Sequence, residues 1–245
     1  MDREGRFDYR HLFICFLLSF TAGLVVASFA TFRQFLPALL EGAWVTIQIT
    51  VVSCVLAAIW GLLAGLGKIS PFWPVRWLAI AYIEVFRGTS ALVQLFWLFF
   101  VLPHFGITLD PIPVAILALS LNIGAYGAEV VRGAILAVPR GQYEASTALN
   151  MSPFVRMRRV ILPQAIAAMI PPWGNLFIEL LKATALVSLI TVSDLTFEAY
   201  QLNQATLQTV QIFTLVLVMY LAISLVITFL MRGLERRVAH GTGRA

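Results

Sequence analysis

"GQYEASTALNMSPFVRMRRVILPQ" (Gly141–Gln164) carries Glu144, Arg156, Arg158 and Arg159 in a chain that is otherwise very apolar. Pro139 through Asn150 can form a short helix. Ser152-Pro153 is a restart signal, because serine caps the free N–H groups of a first turn and proline suits the first helical position. A second helix is expected to about Leu162, with Pro163 marking the start of the next long apolar stretch. The first arm mixes the small residues Ala145, Ser146 and Ala148 with Tyr143, Leu149 and Met151. Such a helix–turn–helix has two uses at a membrane surface. Its arginines can rest on headgroup phosphates, or it can insert as a knob into a groove on a partner protein. Alanine and serine favour the knob, since they allow close backbone approach and anchor poorly in lipid.

The surroundings define the solvent. Hydrophobic residues make up 60% of the 245 positions and charged ones only 12%, with mean hydropathy +0.89. A soluble domain carries about twice that charged share, so lipid must cover this one. Six stretches are long and apolar enough to cross a bilayer: 12–30, 39–67, 76–102, 111–135, 160–191 and 210–231. Basic residues crowd alternate connections: Lys68 and Arg76; Arg140, Arg156, Arg158 and Arg159; Arg232, Arg236, Arg237 and Arg244. The others are neutral or acidic, with Asp110 in one and Asp194 and Glu198 in another. This bias puts 68–75, 136–159 and the C-terminal tail in the cytoplasm and 192–209 outside. The net charge of +5 is therefore a topology signal, and nucleic acid is excluded as a partner. The first stretch can also be read as a cleaved signal peptide ending at Ser28-Phe29-Ala30, but its flank is charge-balanced where a signal peptide wants a positive one.

Polar residues within the spans need a reason, because ionisable groups at membrane depth are costly. Glu84 and Arg87 stand three apart and can pair on a helix; Gly88 and Thr89 then favour a break or close packing. Asn122, Tyr126 and Glu129 share one helix face at i, i+4, i+7. Asn175, Glu179 and Lys182 repeat the spacing, and Thr184 and Ser188 extend it. The structural reading makes Glu179–Lys182 an ion pair between helices. The functional one lines a polar path with Arg87, Thr89, Gln94, Asn122, Tyr126, Asn175, Glu179, Lys182, Thr184 and Ser188. Gly61 and Gly65, and Gly124 with Ala128, allow close helix packing. Pro171-Pro172 favours a kink or break, and broken helices can border a transporter's substrate.

Enzymatic motifs are missing. "GLLAGLGK" (61–68) fails as a phosphate loop, with Leu62 where a glycine is required and Ile69 where Ser or Thr would bind magnesium. His11, His104 and His240 are scattered, and no metalloprotease, nucleophile-elbow or cysteine-cluster pattern occurs. Asp110 before a proline reads as turn chemistry. Cys15 and Cys54 lie in apolar stretches as small hydrophobes.

With these residues in view, the chain resembles the permease subunits of bacterial binding-protein-dependent ABC importers. Their cytoplasmic loop opens on E-A-A, reaches a glycine after three residues and closes on an apolar run ending in Leu-Pro. Here Glu144-Ala145-Ser146 opens it and Ile161-Leu162-Pro163 closes it. "FRGTSALVQLFWLFFVLP" (86–103), "ALSLNIGAYGAEVVRGAILAVPRGQYEA" (118–145) and "IPPWGNLFIELLKATALVSLITVSDL" (170–195) are similar to the polar amino-acid (histidine/glutamate/glutamine/opine) subfamily, so the resemblance spans 39–237.

The resemblance implies an all-α membrane protein, a polytopic helix bundle of the type I ABC importer permease kind, with five core spans plus one extra N-terminal span. The expected division is 1–38 for the cytoplasmic N-terminus and extra span, 39–237 for the transmembrane domain with a coupling loop at 139–160, and 238–245 for the tail. It implies a multi-pass protein of the bacterial inner membrane. Its partners are a dimer of ATP-binding ABC subunits, a second permease subunit and a periplasmic solute-binding protein docking near 192–209. ATP and magnesium belong to the ATPase subunits, and this chain has no cofactor. The coupling residues are Gly141, Glu144, Ala145, Ser146, Asn150, Ser152, Arg156, Ile161, Leu162 and Pro163. Four positions depart from the pattern: Asn150 for glycine, Ser146 for alanine, Ser90 for proline, and Ala183 for an acidic residue. The last favours a zwitterionic solute, opine- or ectoine-like, over a cationic one. The rival class is an ion-gradient-driven secondary transporter, which usually shows inverted repeats; none is seen.

Overall fold

The computed structural model describes residues 33–241, with side chains to 238. The expected first span at 12–30, and with it the signal-peptide alternative, lies outside the described residues. The described residues contain no β-strand. α1 (Leu36–Lys68) is followed by α2 (Trp73–Gly88), the short α3 (Ala91–Phe96) and α4 (Pro111–Leu136). Next come α5 (Arg140–Ala148), the one-turn α6 (Pro153–Arg156), α7 (Leu162–Ala183), α8 (Leu195–Thr206) and α9 (Thr209–Gly241).

Four continuous helical stretches are long and apolar enough to cross a membrane: Leu36–Lys68, Pro111–Leu136, Pro153–Ile190 and Thr209–Val238. A further pair, Trp73–Gly88 and Ala91–Phe105, is apolar enough only when taken together, and its two arms meet at 105°. The stretch read as one span at 76–102 is thus a bent pair, with the break falling at Gly88 and Thr89, where the sequence favoured one. Thr89 and Ser90 are extended (ψ 152° and 135°), a conformation that ends α2, and polar side chains take up the freed backbone groups, as described below.

Prolines act differently from expectation at two places. Pro163 stands in the first turn of α7, as expected, but the helix does not restart there: it runs on from Pro153. One wide turn at Met157–Ile161 precedes it, in which the Leu162 N–H bonds the Met157 carbonyl five residues back. The same device precedes Pro103, where the Leu102 N–H bonds the Trp97 carbonyl. A proline ring collides with the carbonyl four residues earlier, and a turn widened by one residue relieves the collision. Nor do Pro171 and Pro172 break α7, which is helical throughout. Pro171 is exposed and Pro172 half-buried, so their rings lie on an open side of the helix. The helix changes instead at Thr184–Ile190, a tighter 3₁₀ segment ending at Thr191 with φ 63°.

Small residues bring the spans together. A methyl group added at Gly65 would lie 2.7 Å from the Ala128 carbonyl oxygen, and one at Gly124 would lie 2.8 Å from Trp60 Cβ. The two small-residue pairs read from the sequence therefore face each other across α1 and α4. Trp173 of α7 fills the socket beside them, with its ring 2.7 Å from a methyl placed at Gly61 and 2.2 Å from one at Gly127. The main core joins α1, α3, α4 and α7; a second cluster joins Phe35, Leu39 and Ala43 to Leu195, Ala199, Ile212 and Leu215 at the opposite end. Leu40, Trp44, Val51, Leu63, Leu217 and Leu230 are exposed, as suits surfaces in contact with lipid.

Candidate functional site

The break after α2 is held by side chains from three elements. Gln94 Nε2 donates to the Phe86 carbonyl at 2.8 Å and to Thr89 Oγ1 at 2.6 Å. Thr89 Oγ1 donates to the Val85 carbonyl at 2.8 Å. From α4, Asn122 Nδ2 donates to the Phe86 carbonyl at 3.0 Å and Tyr126 OH to the Arg87 carbonyl at 3.4 Å. Unwinding frees these carbonyls, and an apolar setting makes each unsatisfied one costly. Arg87, Thr89, Gln94, Asn122 and Tyr126, read from the sequence as lining a polar path, are thus brought together at the bend. Their bonds to the last carbonyls of α2, those of Val85, Phe86 and Arg87, make the group a brace for the bend.

Glu129, on the same face of α4, is the centre of an ion cluster. Its Oε1 accepts from Lys68 Nζ of α1, and its Oε2 accepts from Arg132 Nε at 2.9 Å. Arg87 approaches Glu129 at 4.0 Å and lies over the Tyr126 ring, 5.4 Å from its centre. Glu84 turns to Lys68 at 3.7 Å. The expected Glu84–Arg87 pair does not form. Each residue has a partner of opposite charge on another helix, which three-residue spacing within α2 could not reveal.

The stripe on α7 divides. Asn175, Glu179 and Lys182 are exposed on one side. Among the described residues neither Glu179 nor Lys182 has an ion-pair partner, so the proposed tie between them is absent. Thr184 is fully buried, its hydroxyl bonding the Leu181 carbonyl at 2.6 Å, and Ser188 is half-buried against the Ala185 carbonyl at 2.8 Å. Thr184 therefore packs inside the bundle and cannot line a path. The 3₁₀ segment tightens the turn beyond Ala183, so the 3.6-residue periodicity that joined them to the stripe does not apply there.

At the end of the bundle bearing Lys68, α5 and α6 form the expected hinge. Asn150 sits at φ 56°, a left-handed conformation that asparagine tolerates in place of glycine. Ser152 caps α6 by accepting from the Val155 N–H at 3.4 Å, with Pro153 next. Gly141, Glu144 and Ala145 are exposed, as are Asn150, Ser152 and Pro163. Ser146 is buried, its hydroxyl bonding the Tyr143 carbonyl at 2.8 Å; Ile161 is fully buried, and Arg156 and Leu162 are half-buried. Leu149 (71% exposed) and Phe154 (73% exposed) flank the turn as bare apolar surface, in keeping with a partner rather than water. Sequence reasoning did not single out Phe154, although a phenylalanine just after a capped polar turn was a usable signal.

At the opposite end Asp194 is fully buried. It was expected in a polar surface connection, and the structure corrects this. Its Oδ1 accepts from the Phe197 N–H at 2.9 Å and its Oδ2 faces Tyr220 OH at 3.5 Å. Thr196 meets the same hydroxyl at 2.9 Å, while the Leu195 N–H donates to Thr46 Oγ1 at 3.1 Å. Burial pushes the Asp194 carboxyl up to about 6 against these hydrogen bonds, which pull it down. The group staples α8 to α1 and α9.

A transport-subunit sequence should be similar to proteins with this architecture. Residues 57–240 match the family described as "Binding-protein-dependent transport system inner membrane component". The chain belongs to this family. It is 51% identical over 219 residues to a probable amino-acid ABC transporter permease protein of Sinorhizobium fredii, covering 86% of this chain and 91% of that one. It is 37% identical to the L-cystine transport system permease protein TcyB of Bacillus subtilis, covering 93% and 97%. A crystal structure of an amino acid ABC transporter with histidines superposes with TM-score 0.80 at 35% identity, covering 86% of this chain and 98% of that chain.

As a member of this family, the chain is a multi-pass membrane protein and the permease subunit of an ATP-driven importer. It is not an enzyme, and the secondary-transporter alternative falls. The fold is that of type I importer permeases. Among the described residues, no group of His, Cys, Asp or Glu could hold a metal ion.

Proposed function

We propose that this chain, in the bacterial inner membrane, passes a polar amino acid or a related zwitterionic solute, opine- or ectoine-like. It would do so beside a second permease subunit. The observation that carries this reading is the exposed trio Asn175, Glu179 and Lys182 on α7. A lone chain cannot leave both charges in lipid at such cost. A second permease, identical or paralogous, covers that face and leaves a wet path between the two. Opposite charges three residues apart complement a solute bearing both an ammonium and a carboxylate, and Ala183 adds no further negative charge. The relatives named for amino acids support the class.

The α5–α6 hinge is the dock for a dimer of ATP-binding subunits, which hold ATP and magnesium. Gly141, Glu144, Ala145, Asn150 and Ser152 present the contact, with Leu149 and Phe154 as apolar contacts. Ser146 and Ile161 are buried beneath it, Arg156 ties α6 to α5, and Leu162 and Pro163 carry the helix on into α7. A periplasmic binding protein delivers solute to the 192–209 end. Closure of the ATPase dimer pushes the hinge and rocks the bundle from inward- to outward-facing. The test is uptake by proteoliposomes holding this chain with its ATPase and binding protein, using labelled candidate solutes. Glu144→Lys is expected to abolish coupled uptake or assembly while membrane insertion persists. Normal uptake by that variant overturns the docking assignment; accumulation of arginine or lysine alone overturns the zwitterion assignment.

A further inference from the structure

Arg156 crosses the hinge. Its Nη1 donates to Thr147 Oγ1 at 2.9 Å, and its guanidinium lies over the Tyr143 ring, 5.8 Å from the centre. Tyr143 and Thr147 are one helical turn apart on α5, so a single side chain from α6 grips α5 at two places. Tyr143 also bonds in the other direction, its OH donating to the Ile135 carbonyl in the last turn of α4 at 3.1 Å. Thr147 Oγ1 donates to the Tyr143 carbonyl at 2.8 Å, which orients its lone pairs for the arginine. The one side-chain hydrogen bond from α7 to α5 among the described residues is long: Gln164 Nε2 to Gln142 Oε1 at 3.4 Å.

The chain on either side of α5 offers little stiffness. Ala137–Pro139 precedes it, and Leu149–Ser152, including left-handed Asn150, follows. Without side-chain ties a nine-residue helix pushed at its surface would swing on these connections, and the push would be lost. With Arg156 in place, α5 moves with α6. Helical structure continues from Pro153 to Ile190, so the displacement reaches Glu179 and Lys182.

We propose that Arg156, acting through Tyr143 and Thr147, is the positioning residue that makes α5 rigid with α7 and so converts ATPase motion into movement of the solute path. This rests on the reading of α5 as the ATPase dock. Arginine suits the task because its planar, permanently charged fork can stack on a ring and donate in its own plane at once. Arg158 and Arg159 are exposed, and neither bridges the hinge among the described residues.

The experiment uses the full transporter in proteoliposomes: this chain, its ATPase subunits and its binding protein. Solute imported and ATP hydrolysed are counted together. Wild type must first show hydrolysis stimulated by loaded binding protein; if it shows none, the functional reading fails, whatever Arg156 does. Given that response, Arg156→Ala is expected to lower solute imported per ATP about tenfold, as loss of a charge-assisted hydrogen bond and a cation–π contact implies. The ATPase subunits should still co-purify. Arg156→Lys should recover part of the ratio, and Arg158→Ala should keep all of it. A wild-type ratio in Arg156→Ala overturns the proposal, as does loss of the ATPase subunits from that variant to the extent seen with Glu144→Lys. If Arg156→Ala does not accumulate in the membrane, Thr147→Val decides: it keeps the shape and removes the acceptor, and an undiminished ratio there overturns the proposal.

Discussion

Asp194→Asn removes a buried carboxyl while keeping its shape and the oxygen that caps α8. In the wild-type chain this carboxyl holds its proton up to about pH 6, against an ordinary value of 3.8. The native state therefore binds more protons than the unfolded state between these values. Stability must rise as pH falls through that window and decline as pH rises through it. At 1.36 kcal/mol per pKa unit, lowering the pH from 7 to 5 stabilises the wild type by about 1.3 kcal/mol through this group alone. For a chain of this size that corresponds to about 3–5 °C in Tm. At pH 7 the ionised form costs at most about 3 kcal/mol relative to a neutral isostere. The groups nearest Asp194 are the Tyr220 and Thr196 hydroxyls, with Glu198 in the first turn of α8. No lysine or arginine among the described residues pairs with it. The assay is thermal unfolding in detergent at pH 5, 6 and 7, comparing both proteins so that all other carboxyls cancel. Wild type should gain about 1.3 kcal/mol more than Asp194→Asn on going from pH 7 to 5. Equal slopes, or a wild type that weakens relative to the variant on acidification, would refute the assignment of a buried, raised carboxyl.

Gly127→Ala should destabilise the chain by about 1–3 kcal/mol, since the new methyl would fall 2.2 Å from the Trp173 ring. Combining it with Trp173→Leu should recover part of that loss, measured by a double-mutant cycle of detergent melts. Gly133→Ala, where nothing lies within 4 Å, should be neutral or stabilise by up to about 1 kcal/mol through helix propensity. Glu179→Ala should reduce uptake far more than it reduces co-purification with the ATPase. A variant that merely falls in membrane abundance would point to a structural role, for which no ion-pair partner exists among the described residues.

Much of the fold was legible because span length and helix capping are local properties. Apolar runs of bilayer length marked α1, α4, α7 and α9. Ser152-Pro153 marked the α6 start, and Asn150 marked a turn that asparagine can adopt. The i, i+4, i+7 spacing rightly put Asn122, Tyr126 and Glu129 on one face, and all three meet the end of α2. No proline stops the helix from Pro153 to Ile190, because a wide turn, or an open side of the helix, can absorb a ring that pattern alone treats as a stop. The ionic partners were misread because Glu129 and Lys68 are 61 residues apart. Only the crossing of α1 and α4, permitted by their small residues, makes them neighbours.

The same limit applies to Asp194. Its acidic character is written in the sequence, but its burial depends on Thr46 and Tyr220 arriving from two other helices. The sequence by itself determined which segments must leave water, which end gathers positive charge and where the hinge turns, since each follows from residues within a few positions of one another. Tertiary structure alone decided which charges pair, which polar groups are sealed from solvent and which, like Glu179 and Lys182, are left open, because helix crossing sets those distances.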